Sequence, residues 1–240
     1  LTELYDGTSW TEVNDLNEGA ASMGGAGTQT AGLGFGGQPP TKAETYEYDG
    51  TALTETNDLN TARFNLAAAN AGTQTATLAI SGGPPETTIA ESWDGSAWTE
   101  VGDMNTGRQQ FASSGSQSSG IAFGGEPPRT AKTEEWNGSS WTETTDINTA
   151  RRNLESVGTT TAQIAFGGKT STNVANTETW NGSSWTETAN LNTARFEGGS
   201  ALAGTQTATL YFCGAEPSKS DKNESWDGSS WTELAETNPV

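Results

Sequence analysis

Short apolar runs separated by turn residues recur along the whole chain. In the third copy they read "RQQFASSG", "SSGIAFGG", "AKTEEW" and "SSWTET", within residues 108–144. Each run alternates partly between apolar and polar positions and is bounded by Gly, Pro or Asn, which predicts β-strands. No window carries the 3.6-residue period of an amphipathic helix. The pattern therefore predicts an all-β chain with four strands in each repeated unit.

The unit returns with a regular period. The stretch "ESWDGSAWTE" at 91–100 recurs at 134–143, 178–187 and 224–233, with degenerate copies at 3–12 and 46–55. Its second aromatic position is separated from the next by 43, 45, 43, 44 and 46 residues; the series is Trp10, Leu53, Trp98, Trp141, Trp185 and Trp231. Units of this length cannot bury their apolar faces alone. Four strands per unit predict the blade of a β-propeller. In that fold the blades are arranged around a central axis, which leaves only short, protected sheet edges.

The number of blades follows from counting the strands. The strand that ends in a Gly pair occurs five times, whereas the aromatic hairpin occurs six times. We predict a single domain over residues 1–240 with five four-stranded antiparallel blades and a spare or displaced hairpin. A six-bladed ring that lacks the two inner strands of one blade is the alternative.

The repeated hairpin suggests packing roles for its side chains. Its turns are Asp94-Gly95, Asn137-Gly138, Asn181-Gly182 and Asp227-Gly228, and such pairs favour two-residue turns with positive φ at both residues. The flanking tryptophans then lie on the two strands of one hairpin. We predict that the second of them is buried between neighbouring blades rather than stacked on a ligand; these residues are Trp98, Trp141, Trp185 and Trp231.

One cation and one acid also recur in each later copy. The cations stand before the first strand, at Arg63, Arg108, Arg151 and Arg195, and the acids before the third-strand aromatic, at Glu91, Glu134, Glu178 and Glu224. We predict a structural ion pair in each blade, or an Arg that binds backbone carbonyls. The first copy reads "NEGAAS" at this point and has no Arg, so its blade should be the least well fastened.

The motifs resemble a known family. The strands "GLGFGG", "LAISGG" and "IAFGG", each followed by an acid two residues before an aromatic and then by a Trp, resemble the kelch repeat. The last copy departs from it, with Gly214-Ala215 at the Gly pair. The phrases "NTAR", "GTQTA" and "WNGSSWTE" are also similar to kelch-like repeats of marine bacteriophage structural proteins. This resemblance implies a propeller on a virion or in another extracellular setting.

Composition limits the chemistry. The 11 Lys and Arg against 30 Asp and Glu give a net charge of −19, which disfavours nucleic acid as a partner. The chain has no apolar run of membrane-spanning length, so we expect no membrane insertion. It has no His, the usual metal ligand and neutral-pH base, so we expect no catalytic residue, metal or cofactor. The single Cys213 is predicted to be a small buried hydrophobe.

The loops between the second and third strands differ most between copies and contain all five lysines. Because binding residues concentrate on loops held by a rigid scaffold, we predict ligand contacts on one face from Lys42, Arg129, Lys169 and Lys219. The predicted function is a non-catalytic binding or structural module, such as a phage adhesion or decoration domain for a protein or cell-surface glycan.

Two other functions stay open. One is a glycan-active enzyme with its site in the central funnel, although the recurring acids follow the repeat, whereas a catalytic pair should break it. The other is a purely structural segment of a longer fibre. A surplus terminal hairpin also offers a surface for self-association. We expect the chain to be part of a longer protein, because it begins at Leu1 within a repeat and has no initiator Met.

Overall fold

The regular elements of the chain, where the structure describes it, are β-strands joined by loops. The computed structural model describes residues 2–5, 10–201, 203–216 and 218–235. Within these ranges the regular elements are all strands, and five four-stranded antiparallel sheets form the blades of a β-propeller. The predicted fold class and the choice of five blades over six are thereby confirmed.

The strands follow one another in chain order. Strand β1 (Thr2–Tyr5) pairs with β2 (Trp10–Val13) in a separate two-stranded sheet. Blade 1 contains β3 (Gly24–Thr28), β4 (Ala31–Phe35), β5 (Thr45–Tyr48) and β6 (Leu53–Glu55). Blade 2 contains β7 (Ala67–Ala68), β8 (Thr77–Ile80), β9 (Ala90–Trp93) and β10 (Trp98–Glu100). Blade 3 contains β11 (Ala112–Ser116), β12 (Ser119–Phe123), β13 (Thr133–Trp136) and β14 (Trp141–Glu143).

The last two blades are built in the same way. Blade 4 contains β15 (Glu155–Thr159), β16 (Ala162–Phe166), β17 (Thr177–Trp180) and β18 (Trp185–Glu187). Blade 5 contains β19 (Gly199–Ser200) and β20 (Thr209–Phe212), then a small inserted hairpin of β21 (Ala215–Glu216) and β22 (Ser218–Lys219), and finally β23 (Asn223–Trp226) and β24 (Trp231–Glu233). Every blade is a meander in which consecutive strands pair, apart from this insertion.

The strands are distributed over two compact units. The first unit contains residues 1–109, 115–118 and 138–140, and therefore blades 1 and 2. The second contains residues 110–114, 119–137 and 141–240, and therefore blades 4 and 5 and most of blade 3.

The hairpin between the two tryptophans differs from the predicted turn. Trp93 pairs directly with Trp98, so the loop holds the four residues 94–97 instead of two. Oδ1 of Asp94 accepts hydrogen bonds from the backbone N–H groups of Ser96 and Ala97, both at 2.8 Å. Gly95 has a φ of +92°, and Asp94 is not in the left-handed region. The prediction of positive φ at both residues was wrong because the Asp side chain closes the loop.

The end of the second strand is marked by two consecutive residues with positive φ. They are Gly36-Gly37 in blade 1 and Cys213-Gly214 in blade 5, at +57° and +103° in the latter. Placing the last pair at Gly214-Ala215 was therefore one residue out of register. Cys213 occupies a glycine position and is half-buried, so the prediction of a buried hydrophobe was wrong as well.

Within each unit, an apolar seam joins consecutive blades. Between blades 3 and 4, Ile121 and Phe123 of β12 pack against Ala165, Trp180 and Trp185. Equivalent clusters join blades 1 and 2 and blades 4 and 5. Burying one large apolar side chain contributes roughly 1.5–3 kcal/mol, so these seams are a main source of stability.

Candidate binding face

The repeated tryptophans are buried, and three of them lie in the seams within the units: Trp98, Trp185 and Trp231. Trp98, Trp141, Trp185 and Trp231 are only 5–6% exposed. The indole N–H of Trp185 donates to Oγ1 of Thr133 in the preceding blade at 3.1 Å. Trp98 and Trp231 make the same bond to Thr45 and Thr177, at 2.9 and 3.1 Å. In Trp98, Trp185 and Trp231 both the ring and its N–H donor are therefore used within the fold.

The repeated cations and acids form buried pairs. Arg151 donates through Nη1 to Oε1 of Glu178 at 2.9 Å, and both side chains are fully buried. The other carboxylate oxygen of Glu178 accepts from the backbone N–H and side-chain amide of Asn148, at 2.6 and 2.8 Å. The same arrangement joins Arg63 to Glu91 and Arg195 to Glu224. Arg108 is also fully buried.

In the first unit, Lys42 is not the exposed loop lysine that we predicted. Its side chain is only 2% exposed, and its Nζ lies 2.7 Å from Oε2 of Glu18 and 3.7 Å from Oε1 of Glu44. The hydrogen bond to Glu18 raises the pKa of the Lys42 ammonium, and the same bond lowers the pKa of Glu18. The expectation of exposure was wrong because Glu18 folds over the ammonium group.

In the second unit, two of the predicted cations share a surface with residues that the sequence did not single out. Arg152 pairs with Glu126 and donates to Oε1 of Gln110 at 2.9 Å. Nη2 of Arg129 lies 3.9 Å from the other oxygen of Glu126. Lys169 is joined to Arg152 by two backbone hydrogen bonds of 2.8 and 3.1 Å.

An aromatic ring continues this surface. Nζ of Lys169 lies 4.5 Å from the centroid of the Phe196 ring, in a cation–π contact. We call Glu126, Arg129, Arg152, Lys169 and Phe196 the loop cluster. Its members are all partly exposed, so they reach solvent while being tied to one another.

Lys219 lies beside this cluster on the inserted hairpin. It is exposed and pairs through its backbone with Ala215. Ala215 in turn exchanges backbone hydrogen bonds with Phe196, and its carbonyl accepts from the side-chain amide of Asn173 at 3.2 Å. The side chain of Asn173 therefore connects the loop of blade 4 to the backbone of blade 5.

The backbone under the loop cluster is firmly connected. Gln110, Asn153 and Glu197 occupy equivalent positions in blades 3, 4 and 5, and all three have φ near +50°. The N–H of Asn153 donates to the carbonyl of Gln110 at 2.8 Å. The side-chain amide of Asn153 donates to Oε1 of Glu197 at 2.6 Å. These links hold the loops of consecutive blades in a fixed relation within the second unit.

A sequence signal for the missed residues does exist. The position after the repeated Arg is Phe64, Gln109 or Phe196 in other blades, and only blade 4 has a second arginine there, Arg152. Glu155 likewise replaces Ala or Gly at the start of the first strand. Both residues lie before or at the start of the first strand, so comparing the copies there as well as in the loops between the second and third strands would have found them.

Glu155 has an unusual environment for an acid. Its Oε2 accepts a hydrogen bond from Oγ of Ser200 in the next blade at 2.9 Å. Burial raises the pKa of its carboxyl from 4.5 to about 7, and the Ser200 hydrogen bond offsets only part of that effect. Glu155 also contributes to the raised pKa of the buried Tyr211, whose main cause is desolvation. The inner edge of the blade 4–5 seam therefore holds a group that titrates near neutrality.

The described ranges were also examined for metal-binding groups and membrane-spanning helices. Within them, no three His, Cys, Asp or Glu side chains are grouped so that they could bind a metal ion. The same part of the chain contains no helix long and apolar enough to span a membrane. The chain matches no protein-family model and no curated protein.

Proposed function

We propose that the chain is a kelch-like propeller that acts as a non-catalytic binding module and uses the loop cluster to contact its ligand. The observation that supports this is the contrast within each blade. The repeated Trp and Arg side chains are buried, whereas Arg129, Arg152 and Lys169, which depart from the repeat, lie on loops that backbone hydrogen bonds tie together. Partly exposed polar side chains on a rigid support are suited to recognition.

The composition of the cluster suggests the class of ligand. Arg129, Arg152 and Lys169 supply cations on a chain whose net charge is −19, and Phe196 supplies an aromatic face beside them. A guanidinium group pairs with carboxylates in a planar, two-point geometry. An aromatic ring packs against the apolar face of a sugar. We therefore favour an acidic polysaccharide as the ligand.

The setting follows from the resemblance of the repeats to those of marine bacteriophage structural proteins. A phage particle needs rigid modules that bind the carbohydrate surface of a bacterium. An adhesion or decoration domain on the virion, outside the cell, fits the loop cluster and the strongly acidic body.

Binding of the labelled chain to immobilised bacterial capsular polysaccharides and lipopolysaccharides tests the proposal. Replacing Arg152→Gln together with Lys169→Gln should weaken binding by about tenfold or more, because both charged contacts are lost. Lys132→Gln is the matched control, since Lys132 is 39% exposed and pairs with Glu143 outside the cluster. Equal loss in both variants, or no binding to any of these polysaccharides, would contradict the proposal. Release of new reducing ends would indicate an enzyme instead.

A further inference from the structure

The loop between the paired tryptophans exists in two chemical versions. In blades 2 and 5 it begins with an aspartate, Asp94 and Asp227, whereas in blades 3 and 4 it begins with an asparagine, Asn137 and Asn181. Each of these residues is followed by a glycine whose φ lies between +91° and +95°. Because the glycine conformation is shared, the contacts of an acid and of an amide at this position can be compared directly.

The aspartate version of the loop binds its own carboxylate firmly. In blade 5, Oδ1 of Asp227 accepts hydrogen bonds from the N–H and the hydroxyl of Ser229 and from the N–H of Ser230, all at 2.8 Å. The bond from the Ser229 hydroxyl, with those from the two N–H groups, lowers the pKa of Asp227 from 3.8 to about 2. The loop backbone therefore favours a carboxylate at its first position.

The loop of blade 4 makes the same contacts with an amide. Oδ1 of Asn181 accepts from the N–H and the hydroxyl of Ser183, at 3.0 and 2.9 Å, and from the N–H of Ser184 at 2.9 Å. Within the part of the chain that the structure describes, neither Nδ2 of Asn181 nor the N–H of Gly182 donates a hydrogen bond. Asn181 and Gly182 are both exposed. The side-chain amide is thus held by its oxygen and is open to water on its nitrogen side.

This arrangement suits an attack of the next peptide nitrogen on the side-chain amide. When the Gly182 nitrogen loses its proton to hydroxide and attacks Cγ of Asn181, negative charge develops on Oδ1, and the donors of Ser183 and Ser184 stabilise it. The Cγ–Nδ2 bond then breaks, and Nδ2 leaves as ammonia with the proton that Gly182 lost, which closes a cyclic imide. Water opens the imide and leaves a carboxyl group in place of the amide. Because Gly182 has no Cβ, its nitrogen is not hindered by a side chain of its own.

We propose that Asn181 is a site of spontaneous deamidation, at which blade 4 acquires the aspartate version of the loop that blades 2 and 5 already contain. Opening of the imide can also give isoaspartate, which inserts an extra carbon into the main chain. The folded loop should favour aspartate, because only aspartate keeps the backbone spacing at which Ser183 and Ser184 bind the carboxylate.

The modification lies away from the loop cluster. Asn181 follows the end of β17 at Trp180, whereas the loop that carries Lys169 precedes its beginning at Thr177. Deamidation therefore adds a negative charge at the opposite end of this strand. The inference does not depend on the ligand of the loop cluster.

Asn192 is the matched internal control. It is exposed like Asn181, but its Nδ2 donates to Oε2 of Glu224 at 2.8 Å and to the carbonyl of Trp231 at 3.0 Å. It is followed by Thr193, whose branched Cβ hinders the approach of the peptide nitrogen. Asn192 should therefore keep its amide under conditions in which Asn181 loses it.

Incubation of the folded chain at mildly alkaline pH, followed by cleavage after glutamate and mass spectrometry, tests the proposal. Asn181 and Asn192 then lie in separate peptides, because Glu187 lies between them. The Asn181 peptide should gain the mass difference between an amide and a carboxyl group, and Gly182→Ala should slow this gain by about tenfold. The melting temperature of the Gly182 variant shows that it is still folded. An unmodified Asn181 peptide, equal conversion of both asparagines, or an unchanged rate in Gly182→Ala would overturn the proposal.

Asn181→Asp tests whether the loop accepts the product. The variant should melt at the same temperature as the freshly prepared chain or higher, and its binding of polysaccharide should be unchanged. Fragmentation of the peptide should also show a larger ratio of aspartate to isoaspartate in the folded chain than in the chain unfolded in guanidinium chloride. A lower melting temperature, or the same ratio in both states, would show that the loop does not select the carboxylate and would contradict the proposal.

Discussion

Two consecutive arginines in blade 4 lie in different environments, one in the interior of the blade and one on the surface. Arg151 belongs to the repeat, is fully buried and pairs with Glu178 across the blade. Arg152 breaks the repeat, is 26% exposed and pairs with Glu126 on a neighbouring loop. The side chains have the same chemistry and adjacent backbone positions, yet one lies in a seam and the other in the loop cluster. We infer that the repeated arginine maintains the fold, and that the second arginine, which departs from the repeat, belongs to the surface available for function.

Blade 1 supports the first half of this rule. It has Ala20 where later blades have the buried Arg, and Tyr46 where they have its Glu partner. Both members of the pair are replaced together, as expected, because a buried charge without its partner is strongly destabilising. Blade 5 also has two replacements that occur together. Gly198 stands where the other blades have a large apolar residue, and the large Tyr211 stands where they have Ala or Gly.

The largest expected effect comes from removing a seam tryptophan. Trp185→Ala should lower the free energy of unfolding by about 3–5 kcal/mol, because it leaves a cavity against Phe123, whose ring centroid lies 4.6 Å away. Urea unfolding measures this change. Trp185→Phe should lose clearly less. If Trp185→Ala keeps its stability but no longer binds polysaccharide, the tryptophan belongs to the binding surface and the division proposed above fails.

Glu155 should make the stability of the blade 4–5 seam depend on pH. Below its ordinary pKa of 4.5 the carboxyl is protonated in both the folded and the unfolded chain. Between 4.5 and about 7 only the folded chain keeps the proton, so stability falls as pH rises and the loss is complete above pH 7. The shift corresponds to a loss of roughly 3 kcal/mol.

Thermal unfolding at a series of pH values, compared with Glu155→Gln, measures this contribution. The variant should lose the extra pH dependence and become the more stable protein above pH 7, where the native carboxyl is charged and only its Ser200 hydrogen bond is available. Parallel pH profiles for the two proteins would show that Glu155 is solvated in the folded state.

A smaller effect is expected from one polar contact across a seam. Thr177→Val removes the acceptor of the Trp231 indole N–H, which is buried, and should cost about 1–3 kcal/mol. Thr179→Val in the same strand is the control, because Thr179 faces Thr186 across the hairpin and is only half-buried. Chemical denaturation should separate the two variants; equal stability would mean that the hydrogen bond contributes nothing to the seam.

The architecture could be predicted from the sequence because a strand that is ambiguous in one copy is recognisable when the same pattern recurs in several copies. A period shared by several copies identifies the strands, and the seam tryptophans are buried because their hairpin repeats with the blades. The four-residue Asp-Gly loop was missed because a side-chain acceptor, rather than backbone φ alone, closes it. The burial of Lys42 was missed because its partner, Glu18, lies outside the loop and is brought to it by tertiary structure. Arg152 was missed because it precedes the first strand of its blade, outside the loops between the second and third strands from which the binding face was predicted.

Arg151 and Arg152 test most directly whether the buried arginine stabilises the fold and the exposed one binds the ligand. The free energy of unfolding and the binding of acidic polysaccharide should be measured for Arg151→Ala and Arg152→Ala in parallel. Arg151→Ala leaves Glu178 buried without its cation and should cost about 3–5 kcal/mol of stability. Arg152→Ala removes a partly exposed pair and should change stability by about 1 kcal/mol or less, while weakening binding about tenfold. Equal destabilisation by the two substitutions would contradict the account. So would the reverse pattern of binding, in which the Arg151 variant, at a temperature where it is still folded, no longer binds polysaccharide while the Arg152 variant does.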